Sequence, residues 1–349
     1  MSPTIQPQYL TSRLLQLLNT PSPTGNTEKI IAFVEAEFAG LGLPAYRTQK
    51  GALVATLAGK RAGPAKALSG HVDTLGGMVK EIKANGRLAI SSLGGYYAGS
   101  VVGEYCTVET STGNTFTGTV VQNRQAVHIH SLGQVHESAE SLAKVEIRLD
   151  AQTGSREETL ALGIQVGDFI NWDPRPELTE TGFIKSRHLD DKASLACFLA
   201  IAEAFKREAI TPVYTTYFYI SPYEEVGHGA SSGVPDDVDE LLVVDTGIVG
   251  EGQASDEFSV SICAKDGSGP YDLSLRRKLV SLAQAAGIPY HLDIFINYSS
   301  DGTAAWRAGG EFRVGLIGPG VDACHAYERT HQSALLATAN LISAFLQAP

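Results

Sequence analysis

Residues 186–195, Ser-Arg-His-Leu-Asp-Asp-Lys-Ala-Ser-Leu, set two carboxylates side by side just before an apolar run, Ala193 to Phe205. That run has the length and spacing of a buried helix. One aspartate at a helix start is ordinary capping; a second adds only repulsion unless it has other work, such as bridging cations. Four further places carry side chains of the same chemistry. In Gly70-His71-Val72-Asp73, residues two apart on extended backbone point the same way, so Asp73 can lie beside the His71 ring and fix it. The plainer reading is a histidine satisfied in a turn. Pro222-Tyr-Glu224-Glu225-Val-Gly-His228 follows an apolar strand and offers two neighbouring acids that diverge, so each can do a different job. A dimetal hydrolase needs that division, one carboxylate binding metal and the other taking a proton from water. A solvated acidic turn would look the same. Asp245 closes Leu241-Leu-Val-Val, where it either caps a turn or ligates, and His325 sits in Ala323-Cys324-His325-Ala-Tyr-Glu328 with His331 nearby. Together these residues supply N and O donors of the kind that suit Zn²⁺, Co²⁺ or Mn²⁺.

Such donors converge only if the elements carrying them end at one place. Helical patterns over Tyr9–Leu18 and 27–39 precede strands at 52–57 and 66–70, the second running into His71. From about Met78 to Thr181 the texture changes to Gly-rich turns between short alternating stretches, such as Thr117-Gly-Thr-Val-Val and Lys144-Val-Glu-Ile-Arg-Leu. That is an all-β pattern, a small barrel or sandwich. Beyond Gly182 strands alternate with helices again: strands at 213–220, 241–245, 258–264, 291–296 and 312–317, and helices at 271–286, 301–308 and 331–347. The expected fold is an α/β sandwich around a mixed sheet, residues 1–77 and 182–349, with a small β-barrel domain of residues 78–181 inserted. Ligands of open α/β sheets gather at strand ends, where these residues lie.

Bulk composition narrows the alternatives. The chain has 349 residues, 43% apolar and 19% charged, and no apolar run long enough to span a membrane. A formal charge of −11 without a Lys/Arg cluster argues against nucleic-acid binding. The four scattered cysteines form no CxxC pair and read as reduced thiols. With no basic or apolar leader at the N-terminus, a cytoplasmic location is expected.

The motifs His71-Val-Asp73, His188-Leu-Asp190-Asp191, Glu224-Glu225-Val-Gly, Val244-Asp245 and Cys324-His325-Ala-Tyr-Glu328 occur in the order used by dinuclear metallo-aminopeptidases. The chain most resembles metallopeptidase family 42, the glutamyl-aminopeptidase and tetrahedral-aminopeptidase group. The resemblance spans nearly the whole chain, including Leu162-Gly-Ile-Gln-Val-Gly-Asp168-Phe of the inserted region. It implies that His71 and Asp245 bind one metal, that Glu225 and His325 bind the other, and that Asp190 bridges both. It further implies Glu224 as general base, Asp73 as the group orienting His71, and Asp191 as helix cap or outer support. Family members assemble as dodecameric tetrahedra with an inner chamber, so a homo-oligomer supported by the inserted domain is implied. Two departures stand out. The usual Tyr-Ile-His-Ser-Pro-type stretch is here Asp322-Ala-Cys-His325-Ala-Tyr-Glu328-Arg-Thr-His331, so His331 competes with His325 as ligand, His325 being favoured. Residues 17–25, 71–79 and 327–331 are also similar to a bacterial branch found with synthesis of the osmolyte N-acetylglutaminylglutamine amide.

The mechanism expected from these residues places two metals about 3.5–4 Å apart around a bridging water of lowered pKa. Glu224 takes the proton as the hydroxide attacks the scissile carbonyl, then gives it to the leaving amine. A deacylase or amidase acting on a small acylated amino acid or peptide amide would use the same ligands. A non-catalytic metal-stabilised scaffold is the alternative from another class, and it leaves Glu224 without a duty. A glycosidase needs two carboxyl groups facing across a sugar, about 5–9.5 Å apart, and gives His71 and His325 no role.

Overall fold

Every residue of the strand Ala65–His71 is buried, as a strand covered on both faces requires. The computed structural model describes residues 3–349. In it this strand is flanked in parallel by Thr216–Ser221 on one side and Val238–Val244 on the other. Arg313–Asp322 continues the parallel order beyond Val238–Val244. The registers Ser221↔His71, Val243↔Ser69 and Val244↔Ile317 bring three C-terminal strand ends to one edge, beside Ile317 of the fourth strand. Antiparallel neighbours, Leu53–Leu57 and Val260–Asp266, complete a mixed sheet. One face packs under helices Pro7–Leu18, Glu28–Gly40, Leu189–Arg207, Leu273–Ala286 and Gln332–Gln347. The other face carries Asp301–Arg307 and a smaller apolar cluster.

Between His71 and the helix at 189 the chain forms a closed barrel of six antiparallel strands. Its strands run from Gly76–Ile82 to Phe169–Trp172 around a separate core that includes Val108, Val120, Ile147 and Ile170. The α/β sandwich and the small barrel are therefore both present. The chain rejoins the main sheet through Glu177–Leu178 and Phe183–Ser186, the latter paired with Glu328–His331.

Two local expectations needed correction. The barrel region is not all β: helices Leu132–Ala139 and Arg156–Ala161 are each opened by a capping box, Ser131 with Gln134 and Ser155 with Glu158. The S-x-x-Q and S-x-x-E spacing is a readable helix start. The strand expected to stop at Ile317 runs on to Asp322 through Gly318-Pro-Gly320. Gly318 does not break the strand there. It admits the backbone of Asp245, because a Cβ at 318 would lie 1.3 Å from the Asp245 carbonyl oxygen.

Among the described residues no helix is long and apolar enough to cross a membrane. Lys66 is buried, and its Nζ donates to the carbonyls of Phe345 (2.8 Å) and Ala348 (2.6 Å) at the end of the last helix. Burial first, and then the charge of Lys278, pull its pKa from 10.5 to about 7, against the opposing pull of Glu240. Between those two values the unfolded chain binds a proton that the folded chain lacks, so this residue's contribution to stability rises with pH. Melting of the wild type and Lys66→Met, compared at about pH 6.5 and about pH 9.5, should show the wild type gaining on the variant at the higher pH. A constant gap would mean that Lys66 stays charged in the fold.

Candidate metal centre

The twin aspartates enter the long helix in non-helical backbone, with ψ of 105° at Asp190 and 31° at Asp191, and regular helix begins at Lys192. Neither caps that helix. Of the two roles expected of Asp191, cap or outer support, the geometry matches the second: its Oδ2 accepts the backbone N–H of His71 (3.1 Å). Gly70 makes this approach possible: a Cβ there would stand 3.1 Å from that oxygen and 3.0 Å from the Phe198 ring. The other oxygen of Asp191 is buried without a hydrogen-bond partner.

Asp190 turns its two oxygens to two histidines from opposite ends of the sequence. Oδ1 lies 3.0 Å from Nε2 of His71, and Oδ2 lies 3.4 Å from Nε2 of His325. Each imidazole is anchored through its other nitrogen by a backbone carbonyl. His71 Nδ1 lies 2.9 Å from the Asp73 carbonyl oxygen, and His325 Nδ1 lies 2.5 Å from that of Gly95, in a barrel loop. An Nδ1–H donated to a carbonyl leaves the Nε2 lone pair facing inward, the arrangement of a ligating histidine. Donor atoms of His71, Asp190 and Asp245 lie within 4.8 Å of one another, and so do those of Asp190, Cys324 and His325. Asp190 belongs to both groups.

The acidic pair divides as its divergence suggested. Glu225 Oε1 accepts the Leu75 N–H (3.2 Å), and its Oε2 lies 3.8 Å from His325 Nε2. Glu224 Oε2 lies 3.7 Å from His71 Nε2. Both glutamates sit on a short 3₁₀ turn, Glu224–Val226, clamped by Asp73: its Oδ1 accepts the Glu224 N–H (3.0 Å) and its Oδ2 the Glu225 N–H (3.2 Å). The Asp73 carboxylate stays 3.6 Å from the His71 ring. Asp73 thus meets His71 through its carbonyl and meets the glutamates through its side chain. Thr24 Oγ1 donates to the same carboxylate (2.7 Å), in a segment after the first helix that also bonds Val72 and Thr74.

His331 lies outside this cluster. It caps the last helix by accepting the Ser333 N–H, contacts the Thr181 carbonyl, and packs edge-on against Phe183 and at a tilt against Phe258. Left-handed φ values of 56° at Ala323 and 65° at His325 turn the loop so that Cys324 and His325 both reach Asp190, although neighbours on extended backbone diverge. Glu328 holds the base of this loop, accepting the N–H groups of Asp190 (3.2 Å) and His325 (3.0 Å). Asp301 lies behind the glutamate turn, accepting from Ser69, Ser221 and Ala230. Glu328, Asp301, Thr24 and Gly95 were not anticipated from the sequence. Only Glu328 carried a signal, as the acid three residues after His325.

Crowding shows in the protonation of these groups. Burial first, and then neighbouring charges, raise Asp191, Glu224 and Glu225 above the ordinary carboxylate range, Asp245 to about 7 and Glu328 to about 8. Burial disfavours charge on His325 too, but Asp190 and Glu225 outweigh it and raise its pKa to about 10. For Asp190 the hydrogen bonds from His325 and His71 overcome burial and hold it ionised. The cluster therefore has more carboxyl groups than its own imidazoles can balance, and several of them hold their protons.

The sequence profile of the M42 glutamyl aminopeptidase family matches residues 51–341. YhfE of Bacillus subtilis (strain 168), named as a candidate aminopeptidase, is 48% identical over 335 residues, covering 96% of each chain. The chain belongs to the M42 glutamyl aminopeptidase family. This M42 protein is a hydrolase of peptide bonds with aminopeptidase function, in a metal-dependent family whose chemistry suits the donor groups described. Two solved structures share the fold. A TET aminopeptidase of Thaumarchaeota archaeon SCGC AB-539-E09 superposes with a TM-score of 0.87 at 18% identity, covering 97% of this chain and 96% of its own. The Pyrococcus horikoshii TET1 peptidase, described as assembling into a tetrahedron or a large octahedral shell, gives 0.84 at 19% identity, with coverage of 97% and 100%.

A pH trend follows for the metal-stripped M42 protein. Raised carboxyl values are a growing penalty as pH rises from about 4 towards 8, and the raised imidazole value is a contribution lost from about 6.5 to 10. Both signs agree within the cluster, so in EDTA the wild type should lose melting temperature relative to an Asp245→Asn variant from about pH 5.5 to about pH 8.5, a comparison in which the opposing rise from Lys66 cancels. A divalent cation at about a hundredfold excess over Kd should restore about 3 kcal/mol per site, with the larger effect at the alkaline end. A constant difference between the two would mean that the cluster carries no such charge imbalance.

Proposed function

We propose that this aminopeptidase removes uncharged N-terminal residues from peptides by means of two divalent metal ions, zinc, cobalt or manganese. His71, Asp190 and Asp245 would hold one ion, and Asp190, Glu225 and His325 the other. The observation that carries the reading is Asp190, whose two oxygens face two histidines already turned to present Nε2. The unpartnered buried oxygen of Asp191 and the surplus of carboxylates also fit a doubly charged guest. When bound, the ions would supply Lewis-acid polarisation of the peptide carbonyl and a water acidic enough to lose its proton near neutral pH.

In this reading Glu224 is the general base. Its carboxylate is nearly buried and lies beside His71, and its backbone is fixed by Asp73. A carboxyl of raised pKa takes a proton from water and keeps it long enough to pass it to the departing amine. Asp73 acts as a positioning residue for the Glu224–Glu225 turn, while the barrel loop at Gly95 orients His325. Residues 1–77 and 182–349 then form the catalytic part. The inserted residues 78–181 serve assembly and access, in a homo-oligomer like the TET peptidases it resembles in fold.

A cavity of about 330 Å³ opens beside His325 and Cys324, lined by Ile248, Phe295, Ile296 and Tyr298 with Gln253 and Asn297. It holds no Lys or Arg, and His325 at its edge would be neutral once it ligates, so an acidic first side chain entering it would lose hydration without gaining a side-chain cation. Leucyl or phenylalanyl anilides should exceed the glutamyl anilide in kcat/KM by about tenfold or more, and N-acetylation should abolish turnover. Equal rates on acetylated substrates would favour a deacylase instead. Glu224→Gln should keep its metal content by elemental mass spectrometry and lose about 10²–10⁴-fold in kcat. Near-normal kcat in that variant would remove Glu224 from the chemistry.

A further inference from the structure

Cys324 is unlike the other three cysteines. Cys106, Cys197 and Cys263 are 3%, 0% and 2% exposed within apolar clusters, whereas Cys324 is partly exposed and borders the cavity beside His325. Its Sγ lies 3.1 Å from Asp190 Oδ2, the oxygen that also faces His325 Nε2 at 3.4 Å, and 3.7 Å from Thr246 Oγ1. The three donor atoms of Asp190, Cys324 and His325 fall within 4.8 Å of one another, close enough to share one ion at ordinary bond lengths of about 2.0–2.3 Å. A second observation points to the same place. Glu225 Oε2, on a side chain only 4% exposed, is directed at His325 Nε2 from 3.8 Å and accepts no hydrogen bond among the described residues. A nearly buried carboxylate oxygen that accepts no hydrogen bond among the described residues, the inward-facing imidazole opposite it and a shared aspartate thus surround the point at which the sulfur is aimed.

We propose that Cys324 is a thiolate ligand of the metal held by Asp190, Glu225 and His325, giving that site a mixed S, N and O donor set selective for Zn²⁺ or Co²⁺ over Mn²⁺. This rests on the metal reading above. The thiol now donates to Asp190 Oδ2; on ligation its proton passes to solvent, sulfur donates a lone pair to the ion, and Asp190 Oδ2 is freed to coordinate as well. A soft sulfur discriminates against manganese, which prefers oxygen donors, and favours zinc and cobalt. Thr246 donates to the same Asp190 oxygen (3.4 Å) and keeps that carboxylate oriented when the thiol is withdrawn.

The test uses the full-length protein with Co²⁺ or Zn²⁺ alone as probe. Co²⁺-loaded wild type should show the near-ultraviolet sulfur-to-cobalt charge-transfer absorption, and Cys324→Ser should lose it while still carrying Co²⁺ by elemental mass spectrometry. In the unmutated protein, Zn²⁺ should slow iodoacetamide labelling of Cys324, read by peptide mass spectrometry, by about tenfold or more, because a ligated thiolate is a poor nucleophile. That second measurement needs no variant to fold. Two cobalt ions per chain without the absorption, and labelling indifferent to Zn²⁺, would overturn the thiolate while leaving the metal centre standing. Failure to retain any metal would overturn both.

Discussion

Asp190 sits where two charge problems meet. Around it lie Asp73, Asp191, Glu224, Glu225, Asp245, Asp301 and Glu328, all buried or nearly so, with His71 and His325 as the imidazoles among them and Lys50 acting on Asp73 and Asp301 from outside. Two like charges about 4 Å apart cost about 4 kcal/mol at the screening typical near a protein surface. Crowding of that kind helps burial keep several of these carboxyls protonated. No apolar core would collect such groups for stability. The rest of the architecture serves to hold them together: three parallel strands end at one edge beside the fourth, the glutamate turn is tied by its amides to Asp73, and the His325 loop is tied to Glu328. The strain of the site is distributed through backbone hydrogen bonds that cost little individually, so each carboxylate has somewhere to be held while its charge awaits an ion.

The inserted barrel belongs to this arrangement more closely than a peripheral module would. Gly95 carries the carbonyl that fixes the His325 ring. Arg187, buried between the two parts, donates to the Ala326 carbonyl of the His325 loop, to the Ser100 carbonyl, and to Glu104 of the barrel. A guanidinium with three partners in two substructures sets their relative position through several directional bonds rather than one. Displacing the barrel would therefore move an imidazole at the centre.

The strand ends and their acids were legible in the sequence because both have local signatures: apolar runs that stop abruptly, and carboxylates placed where a strand stops. Asp73, Asp190, Asp245, the glutamate pair and His325 are all in one cluster on that account. What stayed hidden depends on contacts across the chain. No pattern within residues 20–25 announces that Thr24 will bond Asp73, and Gly95 contributes only a carbonyl, which every residue has. The strand end set at Ile317 fell short for a related reason: nothing local to residues 318–322 shows that Gly318 lies against the backbone of Asp245. His331 competes with the favoured His325 in one dimension, and the start of the last helix, which His331 caps, separates them.

The order in which these groups occur along the chain has a consequence for biosynthesis. The barrel strands are all made by residue 172, before Asp190 exists, and its core needs no residue of the main sheet. The main sheet lacks a central parallel strand until Arg313–Asp322 has been made, and the second imidazole follows only at 325. At about 5–20 residues per second, the 135 residues from 190 to 325 take roughly 7–27 s to synthesise. During that interval a folded barrel is tethered to a half-made sheet whose acids have no common edge to share. A nascent chain at that stage has neither the shared strand edge nor the His325 loop, so the cluster around Asp190 is assembled only when nearly all of this sequence has been translated.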